Sequence, residues 1–475
     1  MTNRTEIAEL WTTGLSAPDE GHVAAVSAVL DPEVVTLTPL GTTEGRPEVL
    51  AVFGKSILAN AFATGTWSEP TLAGEVVTAT CIFTDVDVTT DATVRVTVGE
   101  DGLIKRVETT VGDASPPAVT TRAPKGPSDA GPVPVYGTVE PGFESVREAF
   151  EAGFQEDELG AAVSAYVDGR KVVDLWGGWA NAARDREWER DTVVTTYSAT
   201  KGATATCAHR LVDRGLLDVD APVAKYWPEF AQEGKDGITV RMVLTHQAGL
   251  IFPTKRVPAD KRLDWETMTT ALAGSAPNWA PGTRSEYHGG TFGFLVGEIV
   301  RRIDGRPLDV FFREEVAEPL GADFMIAFGS EHDHRCAEVV GDIDRVNTRE
   351  WRAGGDGAAT GHGSADGLAR LYAALARGGE LDGVKLLNPE TIRAAVAEQP
   401  LANADGTVPN FALGYQLLWT LHPGLPRGTF GHTGMGGSIG LADPHGKLGF
   451  GFVMNQIGSN GAARLLTATY RSLAG

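Results

Sequence analysis

From residue 136 to the C-terminus, candidate strands stand at both ends of the segment and a long helical stretch separates them. Near its start, AAVSAYVDGRKVVDLWGGWAN reads as a strand, a tight Asp168-Gly169 turn and a second strand. Near its end, FALGYQLLWTL, GTFGHTG, SIGLADP and KLGFGFVMNQ read as further strands, and ARLLTATYRSL closes the chain as a helix. FESVREAFEAGFQ, ahead of the first hairpin, carries apolar residues at helical spacing. Like strands so far apart in the chain predict one antiparallel sheet completed by both ends of the segment, beside a helical lobe. A cleft between sheet and lobe is a natural place for a ligand site.

The preceding residues follow another pattern. Thr5–Leu15 and His22–Leu30 predict helices, and LTPLGTTEGRPEVLAVFGKSI a turn with a further helix after Pro47. EVVTATCIFTDVDV, ATVRVTV and IKRVETTV then alternate with a period of two, which predicts a meander of antiparallel strands. Helices on one curved antiparallel sheet make an α+β cone. Residues 114–135, ASPPAVTTRAPKGPSDAGPVPV, are rich in Pro, Gly, Ser and Thr, favour extended backbone and bury little. The predicted organisation is therefore a domain at 1–113, a linker at 114–135 and a second domain at 136–475.

Charge narrows the partners. The chain has 41 Lys+Arg against 62 Asp+Glu, a net charge of −21, which disfavours nucleic acid and anionic membrane surfaces. The opening MTNRTEIAELW has no basic start followed by an apolar core, and no apolar run is long enough to span a bilayer. With three scattered cysteines, Cys81, Cys207 and Cys336, this predicts reduced thiols and a cytoplasmic location.

The chemistry concentrates in three places. In VVTTYSATKGATATCAHRLV a β-branched run turns helical, placing Ser198 at a helix start with Lys201 three residues on, on the same face. A lysine withdrawn from water beside a serine can give up its proton and act as base, and a helix N-terminus favours developing negative charge. In NWAPGTRSEYHGGTFGFLVGEIV, Tyr287 stands in a loop before a helical pattern, where a tyrosine near an ammonium can shuttle a proton. In GTFGHTGMGGSIG, His432-Thr433-Gly434 lies between two candidate strands, where a strand edge can align an acyl group and offer a backbone N–H to an oxyanion. Each element alone has a plainer explanation: a capping serine with a surface lysine, a loop tyrosine, a glycine-rich hairpin.

Their order and spacing give them joint meaning. S-x-x-K, a tyrosine motif about 90 residues later and H-x-G near the end resemble the penicillin-recognising serine hydrolases. GGWAN, VRMVLTHQAGL, WAPGTRSEYHGGTFGFLVGE and LARLYAALARGGELDGVKLLNPETI also resemble family VIII carboxylesterases and class C β-lactamase relatives. The resemblance spans about residues 136–470. It implies an α/β β-lactamase-like domain with an antiparallel sheet and a helical lobe, and a reaction through an acyl-Ser198 intermediate. Lys201 and Tyr287 would share the proton traffic, and the N–H groups of Ser198 and Met435 would hold the oxyanion. No metal and no organic cofactor is implied.

Two departures from the pattern steer the substrate. Relatives that act on β-lactams usually carry lysine where this chain has His432, and asparagine where it has Gly289. A lysine is a permanent cation for a substrate carboxylate, whereas histidine is only partly charged at neutral pH. This favours small or neutral acyl esters, with acyl transfer in a natural-product pathway, D-amino-acid peptidase action and weak β-lactamase action as alternatives.

Other signals weigh less. Gly436-Gly437-Ser438-Ile439-Gly440 fits the G-x-S-x-G elbow of α/β-hydrolases, but a strand pattern follows Ser438 rather than a helix. Glu331-His332-Asp333-His334 has no second ligand cluster and reads as a polar loop. His246 reads as structural, and Trp176, Trp179 and Trp279 as core or pocket wall. The first domain resembles the nuclear-transport-factor-2-like superfamily, with its SnoaL-like cyclases. Asp85 and Asp87 on one strand face would be its candidate cavity acids, but a solvated strand face is the stronger explanation of both. The role predicted for this domain is non-catalytic: homodimerisation, shaping the cleft or holding a hydrophobic substrate.

Overall fold

The computed structural model describes residues 29–38, 41–44, 66–67, 70–85, 88–101, 103–111 and 133–474, the last stretch without 157, 256, 342–343, 400–409 and 423. The chain divides into two compact units, Met1–Asp129 and Ala130–Gly475.

In the first unit, strands β1 (Leu30–Thr38), β2 (Gly41–Glu44), β3 (Thr66–Trp67), β4 (Thr71–Ala73), β5 (Val76–Asp85), β6 (Val88–Val98) and β7 (Ile104–Val111) form one sheet. Its order is β2-β1-β7-β6-β5-β3, with β4 also on β5. The two-residue alternation works as expected: Val94, Val96 and Val98 are buried, while Arg95 between them is exposed. β5, β6 and β7 are the predicted meander. β1, however, runs parallel to β7, so the sheet is mixed rather than purely antiparallel. Parallel partners need a long connection, and the residues between β1 and β7 supply it. The predicted helices Thr5–Leu15 and that after Pro47 lie outside the described residues. So does most of His22–Leu30, whose last residue already opens β1.

In the second unit, β8 (Val135–Val139), β9 (Gly160–Val167) and β10 (Arg170–Gly178) come from the start of the segment. β8 begins at the last residue of the predicted linker. Short pieces follow: β11 (Val194–Thr195), β12 (Phe324–Met325) and β13 (His362–Gly363) in one small sheet, and β14 (Glu380–Leu381) with β15 (Val384–Lys385). β16 (Gln416–Leu417), β17 (Phe430–Thr433), β18 (Ile439–Asp443) and β19 (Leu448–Met454) come from the end. The main sheet runs β16-β17-β18-β19-β9-β10-β8, antiparallel throughout. The β19–β9 pairing joins the two ends of the segment, as predicted from the sequence. FALGYQLLWTL departs from expectation: only Gln416 and Leu417 join the main sheet, Phe411 makes an isolated bridge to Gln416, and Leu418–Leu421 turns helical. Its apolar residues form a run rather than an alternation, which strand and buried helix share.

Helices cover both faces of this sheet. α1 (Glu144–Glu156), α2 (Thr200–Asp213), α3 (Phe292–Asp304), α4 (Ala365–Ala376) and α5 (Gly461–Ala474) are the longest of the unit. One core joins Val146 and Phe150 of α1 and Leu465 of α5 to Val163, Leu441, Phe450 and Phe452. A second joins Leu368, Ala369 and Tyr372 of α4 to Ala162, Tyr166 and Val453 on the opposite face. Each large apolar side chain so buried contributes about 1.5–3 kcal/mol. α2 lies within the helical lobe, buried from Thr200 to His209, which its small residues Gly202, Ala203, Ala205, Cys207 and Ala208 permit. Two of its buried polar side chains find partners: Thr206 Oγ1 donates to Gly202 O at 2.8 Å, and His209 Nε2 lies 2.8 Å from Leu413 O.

Candidate active site

Ser198 sits in a single 3-10 turn, Tyr197–Ala199, that runs into α2. Tyr197 has φ of 47°, a left-handed conformation that costs a bulky residue of order 1–3 kcal/mol. Its surroundings hold it there. The side chain is buried, Tyr197 O accepts Thr200 Oγ1 at 2.6 Å, and Ala199 N donates to Thr196 O at 3.1 Å.

Lys201, in the first turn of α2, is fully buried. Its Nζ lies 3.1 Å from Ser198 Oγ and 3.0 Å from Ala358 O, and stands over the Tyr287 ring at 4.8 Å from the centroid. The i, i+3 spacing read from the sequence is thus realised as a hydrogen bond. Tyr287 is 37% exposed. It stacks on Phe411 at 5.6 Å with planes 9° apart, and its ring centre is 6.2 Å from that of His432. Lys201 meets the face of Tyr287, and no hydrogen bond links its Oη to Lys201 or Ser198 among the described residues.

Three buried histidines surround this group. His246 Nδ1 accepts the His288 N–H at 3.1 Å, and its ring lies 5.1 Å from Tyr287 and 4.3 Å from Phe411. His288 Nε2 accepts the Leu250 N–H at 3.0 Å, and its Nδ1 is 2.7 Å from Glu286 O. His432 Nδ1 is 2.8 Å from Thr433 O, while its buried Nε2 has no partner. Burial, then the nearby Lys201 charge, push His432 down to about 3. Burial first of all holds His288 down to about 4 and His246 well below 6.5. All three imidazoles are therefore neutral at pH 7.

His432 stands on β17, whose end lies against the segment leading to Ser198. A Cβ on Gly434 would fall 2.1 Å from Thr196 O, so only glycine permits the approach. Gln416 Oε1 accepts from Thr433 N at 2.9 Å and Thr433 Oγ1 at 3.0 Å, and Gly434 N donates to Ser438 O at 2.6 Å. Met435, 53% exposed, opens the short Met435–Gly437 turn. The N–H groups of Ser198 and Met435 have no acceptor among the described residues. Beside Tyr287, a Cβ on Gly289 would meet only the Tyr287 ring, at 3.8 Å, which leaves that flank open.

The other candidates fall elsewhere. Ser438 is buried, its Oγ has no partner, and β18 rather than a helix follows it. Asp333 pairs with Arg349 and Arg352, His332 packs on Phe328, and no group of three metal-binding side chains gathers among the described residues. Trp279 stands under Arg284 and against His288, near the site, whereas Trp176 stacks with Tyr136, and Trp179 bridges to Glu187. Asp85 ends β5 opposite Val88, and Asp87 lies outside the described residues. Cys207 and Cys336 are unpaired. No helix among the described residues is long and apolar enough to cross a membrane. Sequence reasoning missed Ala358, whose contribution is a main-chain carbonyl, and Phe411 and Gln416, which sit in an apolar stretch with no motif.

A family model described as beta-lactamase matches residues 146–474. The chain belongs to the beta-lactamase family. Among its relatives is the esterase/beta-lactamase LipL of Mycobacterium tuberculosis, 38% identical over 366 residues that cover 68% of this chain and 83% of LipL. Among solved structures, a family VIII carboxylesterase superposes with a TM-score of 0.68 at 38% identity, over 71% of this chain and 100% of that one. A penicillin-binding protein homologue from Caulobacter crescentus gives a TM-score of 0.66 at 37% identity, over 71% of this chain and 100% of its own. The residues matched by the family model include Ser198, Lys201, Tyr287 and His432.

Proposed function

We propose that the protein is a serine carboxylesterase that cleaves a small, uncharged acyl ester through an acyl-Ser198 intermediate. The observation that carries the reading is the contact of fully buried Lys201 with Ser198 Oγ at 3.1 Å, beside Tyr287. The names of the aligned esterases agree with it.

In this mechanism Lys201 takes the Ser198 proton as Oγ attacks the ester carbon. The N–H groups of Ser198 and Met435 receive the oxyanion, each such donor lowering the barrier by about 3 kcal/mol. The leaving alcohol is protonated from Lys201 by way of the Tyr287 hydroxyl, which must swing from its ring-face contact toward the departing oxygen. Water then enters, gives up its proton along the same route and releases the acid, restoring Ser198. Neutral His432 offers no cation to a substrate carboxylate, and Gly289 offers no side-chain amide to an acylamino group. Both favour a plain ester over a β-lactam or a D-amino-acid peptide.

For the first unit we propose a nuclear-transport-factor-2-like, SnoaL-like domain without a catalytic part, able to serve homodimerisation. Its β5–β6–β7 meander supports that reading.

A substrate panel tests the proposal: p-nitrophenyl acetate and butyrate, a chromogenic cephalosporin and a D-Ala-D-Ala peptide, with wild type and Ser198→Ala. Ester turnover lost in Ser198→Ala, with slow or no cleavage of the other two, is the expected result. A cephalosporin or peptide turned over faster than the esters overturns the substrate class.

A further inference from the structure

Residues 356–361, which the mechanism above does not use, form a tight turn behind Lys201. Asp356 is 5% exposed. Its Oδ1 accepts the N–H groups of Ala358 at 2.7 Å, Ala359 at 2.7 Å and Thr360 at 3.0 Å, and the Thr360 hydroxyl at 3.1 Å. An oxygen bonded in this way fixes the direction of three successive peptide groups, and bonds to a carboxylate are stronger than neutral ones.

The carbonyls of the turn reach α2. Ala358 O accepts Lys201 Nζ at 3.0 Å, and Gly357 O accepts Thr204 Oγ1 at 2.6 Å. Lys201 and Thr204 are three residues apart on one helical face, so the turn hangs from α2 by two bonds. Its far end grips the nucleophile segment. Gly361 O accepts Thr196 N at 2.8 Å, and Gly361 N donates to Thr200 Oγ1 at 3.1 Å. On another side the turn meets α3, the helix that follows Tyr287. A Cβ on Gly293 would fall 2.0 Å from Asp356 O, so glycine is required there.

We propose that Asp356 is a positioning residue for the reaction: by folding the 356–361 turn it holds the Ala358 carbonyl that aims Lys201 Nζ at Ser198 Oγ. The proposal rests on the reading of Lys201 as the base for Ser198. A neutral amine has one lone pair, which must face the Ser198 proton, and rotation about the Cε–Nζ bond is otherwise free. One N–H donated to Ala358 O removes that freedom. The same turn, wedged between α2 and α3, also sets the spacing of Lys201 from Tyr287. Asp356 itself touches neither Ser198 nor Lys201.

Steady-state kinetics on a p-nitrophenyl ester test this, with the full-length chain, thermal melts of every variant, and Ser198→Ala alongside. Asp356→Ala is expected to lower kcat about 100-fold, the loss associated with misplacing a reacting group by an ångström, with KM little changed. Asp356→Asn keeps an oxygen that can accept the same N–H groups and is expected to recover at least about tenfold of that loss. If Asp356→Ala does not fold, Thr204→Val decides: it removes one tether and is expected to lower kcat several-fold at unchanged KM. A folded Asp356→Ala with wild-type kcat, a loss carried by KM, or an Asn variant no better than Ala overturns the proposal. So does wild-type kcat in Thr204→Val where the Ala variant fails to fold. Turnover retained in Ser198→Ala would overturn the nucleophile assignment instead, a separate outcome.

Discussion

Mild acid should destabilise this protein well before its carboxylates titrate. Burial lowers His209 and His288 to about 4 and His362 and His432 to about 3, from 6.5. As the pH falls through 6.5 the unfolded chain takes up protons at these sites, while the folded chain does so only near 3–4. Stability is therefore complete above 6.5 and drains away between 6.5 and the folded values. At about pH 5.5 each histidine costs between about 1 and 2 kcal/mol, and the four together about 5 kcal/mol, with His246 shifted in the same direction. That is a large part of the roughly 5–15 kcal/mol of a typical domain. Urea unfolding followed by circular dichroism from about pH 7.5 to about 5.5 measures it, since the slope of stability against pH gives the protons taken up on unfolding. The uptake is expected to rise across this window from less than one proton to nearly four at about pH 5.5. A stability that stays flat to pH 5.5 and falls only below about 4.5, where carboxylates protonate, would refute the reasoning.

Three substitutions separate the parts of the site. Tyr287→Phe keeps the stack on Phe411 and the ring face under Lys201, so its melting temperature should hold. Its kcat should fall about 10²–10⁴-fold, more for alkyl esters, whose alkoxide needs a proton, than for p-nitrophenyl esters. Gly434→Ala forces a Cβ against Thr196 O, and calorimetry should show a loss of about 1–3 kcal/mol together with slower acylation. Ser438→Ala removes a buried hydroxyl that has no partner, so melts should show unchanged or slightly higher stability and assays unchanged turnover.

How much of this was legible in the sequence depended on how local each signal was. Ser198 and Lys201 could be read directly, because three residues on a helix fix their relation whatever the rest of the chain does. Tyr287 and His432 could be read only through their order along the chain, since nothing local marks either. The β9–β10 hairpin declared itself through Asp168-Gly169, both at positive φ in the structure. The parallel β1–β7 pairing did not, because strand direction is set by the path of the chain and not by alternation. FALGYQLLWTL misled because an unbroken apolar run fits strand and buried helix alike. The Ala358 carbonyl was invisible, since every residue carries one and only the fold aims it. Asp356 looked like any loop aspartate for the same reason. The neutrality of His432 likewise follows from burial, which no motif states.

The most direct test of the acyl-serine account is peptide-level mass spectrometry after brief exposure to a fluorophosphonate probe, on wild type and Ser198→Ala. The account predicts one modified peptide in the wild type, with the added mass on Ser198, and no modification in Ser198→Ala. Probe mass on Ser438 or another residue, or equal labelling of the two proteins, would contradict it.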